Sequence, residues 1–162
     1  MKPISIISAF SLCVFIIVIL LGNIAFSQVP TDRNTLLNGE EGTQAKVAEL
    51  HVYPSPKKVL DLAGALNLTD DQKRIIKQIT EETITRAKEL GKQIIKIEEE
   101  LNDALQTGFV NEKSVADDAQ QIGRLRGRLR GVFLNAHLKI KKVLTANQLE
   151  IYKKLSTAEV HK

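Results

Sequence analysis

The chain has one cysteine, Cys13, and it lies inside the apolar opening stretch. Residues 1–27 read as an export leader. Lys2 supplies a minimal positive start, Ile4 to Leu21 is apolar, and Ala25-Phe26-Ser27 puts small residues at −3 and −1, so cleavage is expected before Gln28. Phe10-Ser11-Leu12 ahead of Cys13 is no lipobox. The mature chain therefore lacks cysteine, which excludes thiol chemistry, sulfur ligation of a metal and disulfides, and leaves packing or dimerisation to hold the fold. The alternative is an uncleaved anchor, because the uncharged stretch from Pro3 to Ser27 is long enough to span a bilayer.

Aromatic residues make up 4% of the chain, too few for a base-stacking surface or a carbohydrate platform. Charge of one sign is also scarce. Removal of the leader takes Lys2 and lowers the formal +4 to +3, too weak to argue for nucleic acid. No glycine-rich phosphate loop is present, and serine, histidine and aspartate form no defensible triad. The expectation is a protein that is not an enzyme and needs no nucleotide or other cofactor. Glu98-Glu99-Glu100 reads as a solvated helix face rather than a carboxylate site.

What the chain does have is helical period. Residues 28–54 show none that is sustained and read as a flexible arm, with a short element conceivable at Ala45–Tyr53. Ser55-Pro56 is an N-cap followed by proline at N1, opening a short helix to about Leu66. From Thr69, Ile76, Ile79, Thr83, Ala87, Leu90, Ile94, Ile97, Leu101 and Leu105 step by three or four, an amphipathic stripe about 55 Å long at ~1.5 Å per residue. Such a helix needs a partner of equal length. Gly108 ends it, Asn111 or Ser114 caps the next, and Val115, Ala119, Ile122, Leu125, Leu129, Val132, Ala136, Ile140 and Val143 form the matching stripe. The short connection makes the two an antiparallel hairpin. Another helix starts at Thr145. The expected fold of 55–162 is all-α, four helices without a strand, with the short ones capping the open end of the hairpin.

One motif occurs twice. Leu68-Thr69-Asp70-Asp71-Gln72 and Leu144-Thr145-Ala146-Asn147-Gln148 are both capping boxes, in which threonine accepts from the N3 backbone and glutamine reaches back to the N-cap backbone. The second adds a staple, Leu144 against Leu149. The copies lie about 75 residues apart and flank the hairpin, so the fold brings them together. This layout behind an export leader resembles the LTXXQ family of bacterial periplasmic proteins, the Spy/CpxP group of ATP-independent chaperones and stress or metal-response proteins. The resemblance spans Ser55 to Leu155 and implies a cradle-shaped dimer in the periplasm, holding unfolded or misfolded envelope proteins on its concave face.

The second long helix carries Gly123, Gly127 and Gly131 opposite its core stripe, with Leu134 and Leu138 on the glycine side. Three interior glycines cost about 3 kcal/mol relative to alanine. Arg124, Arg126, Arg128 and Arg130 flank this shallow face, and Ile84, Gly91 and Ile95 form a minor patch on the first helix. An apolar floor with a basic rim suits a homodimer interface or a client surface; a merely solvated face is the third reading. The metal-sensing branch of the family uses histidine on the corresponding helix, which makes His137 a weak metal candidate. Lys141 stands where a second ligand would be wanted, so His137 reads more readily as a plain helix-surface histidine. Two other functions therefore stay open: a periplasmic metal-responsive regulator on the same hairpin, and a membrane-anchored adaptor binding one partner helix.

Overall fold

The structure, a computed structural model, describes residues 32–160. The leader, and with it the expected cleavage before Gln28, lies outside the described residues. Six helices follow one another: α1 Arg33–Asn38, α2 Lys46–Leu50, α3 Pro56–Asp61, α4 Asp70–Thr107, α5 Glu112–Val143 and α6 Ala146–Val160. No strand occurs among the described residues, and none of their helices is long and apolar enough to cross a membrane.

The two long helices pack together. Gln72 meets Val143, Glu82 meets Lys139 and Glu98 meets Arg126, pairs that climb α4 while descending α5. Their apolar stripes supply the core: Ile76, Ile79, Ala87, Leu90, Ile94 and Ile97 are buried on α4, and Ile122, Leu125, Leu129, Ala136 and Ile140 on α5. Burying one such aliphatic side chain contributes about 1.5–3 kcal/mol, so the stripe dominates the stability of the pair. Toward the connection the stripe runs out. Leu105 is exposed, Ala119 is exposed, and Phe109 in the turn is 88% exposed, since among the described residues no third element reaches that end. Gly108 ends α4 in the left-handed region, and Asn111 and Ser114 share the cap of α5, each accepting from the other's backbone N–H.

At the other end the two repeated motifs meet. Each is a complete capping box: Thr69 N–H donates to Gln72 Oε1 at 3.1 Å and Thr145 N–H to Gln148 Oε1 at 2.9 Å. The glutamines then pair with each other. Gln72 Nε2 donates to Gln148 Oε1 at 2.8 Å, and Gln148 Nε2 to Gln72 Oε1 at 3.0 Å. The remaining amide protons go to carbonyls, Gln72 to Val143 and Gln148 to Leu66. Both side chains thereby make two donor and two acceptor bonds, which is all a glutamine has. Around them Val59, Leu66, Leu68, Ile76, Ile140, Leu144 and Tyr152 form one apolar cluster, with Leu149 packed at its margin. Helix α3 is held there by the Ser55 cap, which accepts from Lys58 N–H, and by Ser55 N–H donating to the Tyr152 hydroxyl at 3.3 Å. It ends at Asp61 rather than near Leu66, where turns lead into Asn67 at φ 48.

The described part of the expected flexible arm is folded. Residues 32–54 hold two of the six described helices, the other four lying in 56–160, and α1 packs on α4. Two glycines make this possible. Gly39 stops α1 at φ 64, where a Cβ would lie 2.7 Å from the Ile84 carbonyl oxygen. Gly91 lets Leu36 lie directly on α4, since a Cβ there would sit 2.8 Å from the Leu36 carbonyl carbon. The segment ends at Val52, a β-branched residue held at φ 54, a conformation that costs about 1–2 kcal/mol.

Candidate functional site

Two flanks of the long pair differ in what covers them. On one, residues 32–54 lie across α4 and α5 like a strap. Of the sequence patch, Ile95 is buried in its seat, Gly91 meets the Leu36 backbone, and Ile84, its side chain exposed, meets Gly39 through its carbonyl; Leu36, Ala45 and Ala48 join Ala87, Ile95 and Phe133 in one buried cluster. Leu134 packs against the same cluster and is half-buried, so it belongs to this seat rather than to an open surface.

Arg126 is on this flank too. Its guanidinium donates to Asp32 at 2.6 Å and to Glu98 at 3.2 Å, and the Asp32 bond, outweighing burial, holds its pKa above the ordinary arginine value. Arg126 is therefore an ionic tie to the strap, not the open working-surface residue expected from the sequence. Arg33 pairs with Glu99 beside it.

His137 departs furthest from its sequence reading. It is fully buried, not on the surface of the helix. Its Nδ1 lies 3.2 Å from the Tyr53 carbonyl and its Nε2 3.0 Å from Glu41 Oε1. Both partners are acceptors, so only the doubly protonated ring can donate to both. Burial opposes that charge, but the Glu41 hydrogen bond and charge, the Tyr53 carbonyl and the charge of Glu49 together raise the pKa above the usual histidine value. With both nitrogens committed, the ring has none left for a metal. Among the described residues no group of three or more histidines, cysteines or carboxylates is placed to hold one.

The opposite flank is open among the described residues. None of them lies within 4 Å of the positions where a Cβ would sit on Gly123, Gly127 or Gly131. Arg124, Arg128 and Arg130 are exposed, as is Leu138 at 46%. Beside them a groove of about 1110 Å³ runs between the long helices. Its floor is Leu90, Val132 and Ala136; α4 lines it with Glu81, Glu82, Arg86 and Glu89, and α5 with Arg128, Lys139 and Lys142. Lys139 and Glu82 face each other across it at 3.8 Å. The rim is thus of both signs, where the arginines alone had suggested a basic one.

Thr69, Gln72, Thr145 and Gln148 are structural, with Leu68 and Leu144 buried beneath them. Asp32, Glu41, Tyr53 and Phe133 escaped the sequence reading. Asn38-Gly39 after Leu36-Leu37 was the available signal, a helix stop in a stretch otherwise without period. No protein-family model, curated protein or solved structure matches the chain.

Proposed function

We propose that this chain is an exported, ATP-independent chaperone of the periplasm, a holdase that binds exposed apolar segments of misfolded envelope proteins. Its scaffold in this reading is an antiparallel helical hairpin closed at its base by the paired LTxxQ boxes, which is the layout of the Spy/CpxP group. The observation that carries the reading is the uncovered glycine face with its adjoining groove. Interior helical glycines with nothing near them cost about 1 kcal/mol each and return nothing to the isolated chain, so a second chain lying on them is what would offset the loss. The groove offers such a chain an apolar floor and charged edges. The working residues are Gly123, Gly127, Gly131, Arg124, Arg128, Arg130 and Leu138, with Arg126 and Leu134 serving the strap. The same small-residue face suits a second copy of the chain, and a homodimer belongs to the proposal.

At near-equal molar ratio and without nucleotide, the exported protein should suppress aggregation of a chemically denatured substrate, measured by light scattering. Charge reversal at Arg124 and Arg128 should weaken suppression while helix content stays unchanged. Absence of suppression by the unaltered protein would sink the holdase reading; full suppression by the reversed variant would sink only the surface. Sedimentation equilibrium of both proteins tells whether the face also pairs two copies.

A further inference from the structure

We infer that residues 32–53 are a releasable strap, latched through His137, that covers an apolar seat on the long helix pair and opens as pH rises. The inference goes beyond the holdase reading and stands or falls separately from it.

The geometry has three parts. The strap is fastened by ions, Asp32 to Arg126 at one end and Glu41 to His137 toward the other. It bears on the seat through a close backbone approach at Gly91 and through three buried apolar side chains, Leu36, Ala45 and Ala48, two of them only alanines. Its last turn, at Val52, is held in a strained left-handed conformation, which opposes closure. Of these fastenings only His137 changes charge near neutral pH, since arginine stays protonated.

Among the charged groups around His137 the strap's carboxylates favour the closed, protonated form, and the ammonium groups of the long helices oppose it. From the strap come Glu41, in contact, and Glu49, more distant; from α5 comes Lys141, whose ammonium lies 4.5 Å from the Tyr53 ring centre. From α4, Lys88 lies against Gly39. When the ring loses a proton, one nitrogen turns a lone pair toward an acceptor, either Glu41 or the Tyr53 carbonyl, and that fastening becomes repulsive. The pKa of His137 is raised by folding. The latch is therefore fully made below the ordinary histidine value of about 6.5 and is lost as pH climbs through the raised one.

Native-state hydrogen exchange on the full chain tests this, with rates corrected for their intrinsic pH dependence. Protection at Leu36, Ala48 and Tyr53 reports the strap, and protection at Ile76 and Ile140 reports the long pair. Between about pH 6 and pH 9, strap protection should fall tenfold or more while the pair keeps its own. In Glu41→Gln the strap should be weakly protected at both pH values, without the slope. Equal strap protection across the range in the unaltered chain overturns the latch, as does a Glu41→Gln strap that retains the full slope. If Glu41→Gln loses protection at Ile140, the chain has lost its fold, and His137→Gln, which cannot titrate, takes its place under the same criterion. An NMR titration of the His137 ring with a midpoint below the ordinary histidine value overturns the latch independently of any variant.

Discussion

The base of the long pair and the strap along its flank are fastened by opposite chemistries. At the base, two neutral amides satisfy each other completely, and no titratable group takes part in their bonds. Along the flank, charged groups hold the chain: Asp32 with Arg126, Arg33 with Glu99, Glu41 with His137. Paired amides with all bonds made are insensitive to salt and to pH between the carboxylate and lysine ranges. Ion pairs that remain partly wet are sensitive to both. The base is therefore the permanent joint and the strap the conditional one, and each substitution below should act on one without moving the other.

The largest effect is expected at the base. Gln148→Ala leaves the Thr145 hydroxyl cap in place but removes the reciprocal bond from Thr145 N–H, worth about 1 kcal/mol. It also strands the Leu66 carbonyl and half of Gln72's bonds in a buried setting, at about 1–3 kcal/mol more. The sum, about 2–4 kcal/mol, should appear in urea unfolding as a lower midpoint with an unchanged slope, and should be the same at pH 6 and pH 9. The double variant with Gln72→Ala should cost clearly less than the two single losses added, because the partners answer one another. Additive losses would mean that the glutamine pair is incidental to the joint.

At the strap, Gly91→Ala is the sharpest probe. The new Cβ would collide with the Leu36 backbone, which cannot rotate away as a side chain could. Overpacking of this kind costs about 1–3 kcal/mol, but lifting the strap relieves it and so caps the loss at whatever the strap contributes. Global stability should fall by less than in Gln148→Ala, while exchange at Leu36 and Ala48 rises to nearly unprotected values. If α4 and α5 lose protection together with the strap, the strap is part of the cooperative core and the division into two joints fails.

The same contrast explains what could be read from the sequence. The base and the long helices were legible because their signals are local: a three-residue capping spacing, a glycine stop and an asparagine start, and an apolar step of three or four sustained over nine positions in each helix. Nothing local announces that Glu41 faces His137, whose partners Glu41 and Tyr53 are 96 and 84 residues away. The strap lacked helical period because its two helices are too short to show one, at six and five residues. A short helix against Gly91 needs only one or two apolar contacts, and Leu36 supplies the main one. Reading Arg126 with its exposed neighbours failed for a related reason. Helical spacing places a side chain on a flank but does not say whether another part of the chain already lies there.

The smallest effect bears most directly on the open flank. Gly127→Ala places a methyl where no described residue lies within 4 Å, in the middle of a 32-residue helix. In the isolated chain it should stabilise by about 0.5–1 kcal/mol, since alanine restricts the unfolded chain more than glycine and fits the helix better. Thermal unfolding of dilute protein, set beside the aggregation assay at matched concentration, separates the uses of the face. A stabilised chain with weaker holding of a denatured substrate would mean that another backbone must come close to Gly127, so that one methyl is too many. A stabilised chain with undiminished holding would mean that this glycine leaves room for nothing, and the working surface would have to be sought in the groove between Arg128 and Glu82 instead.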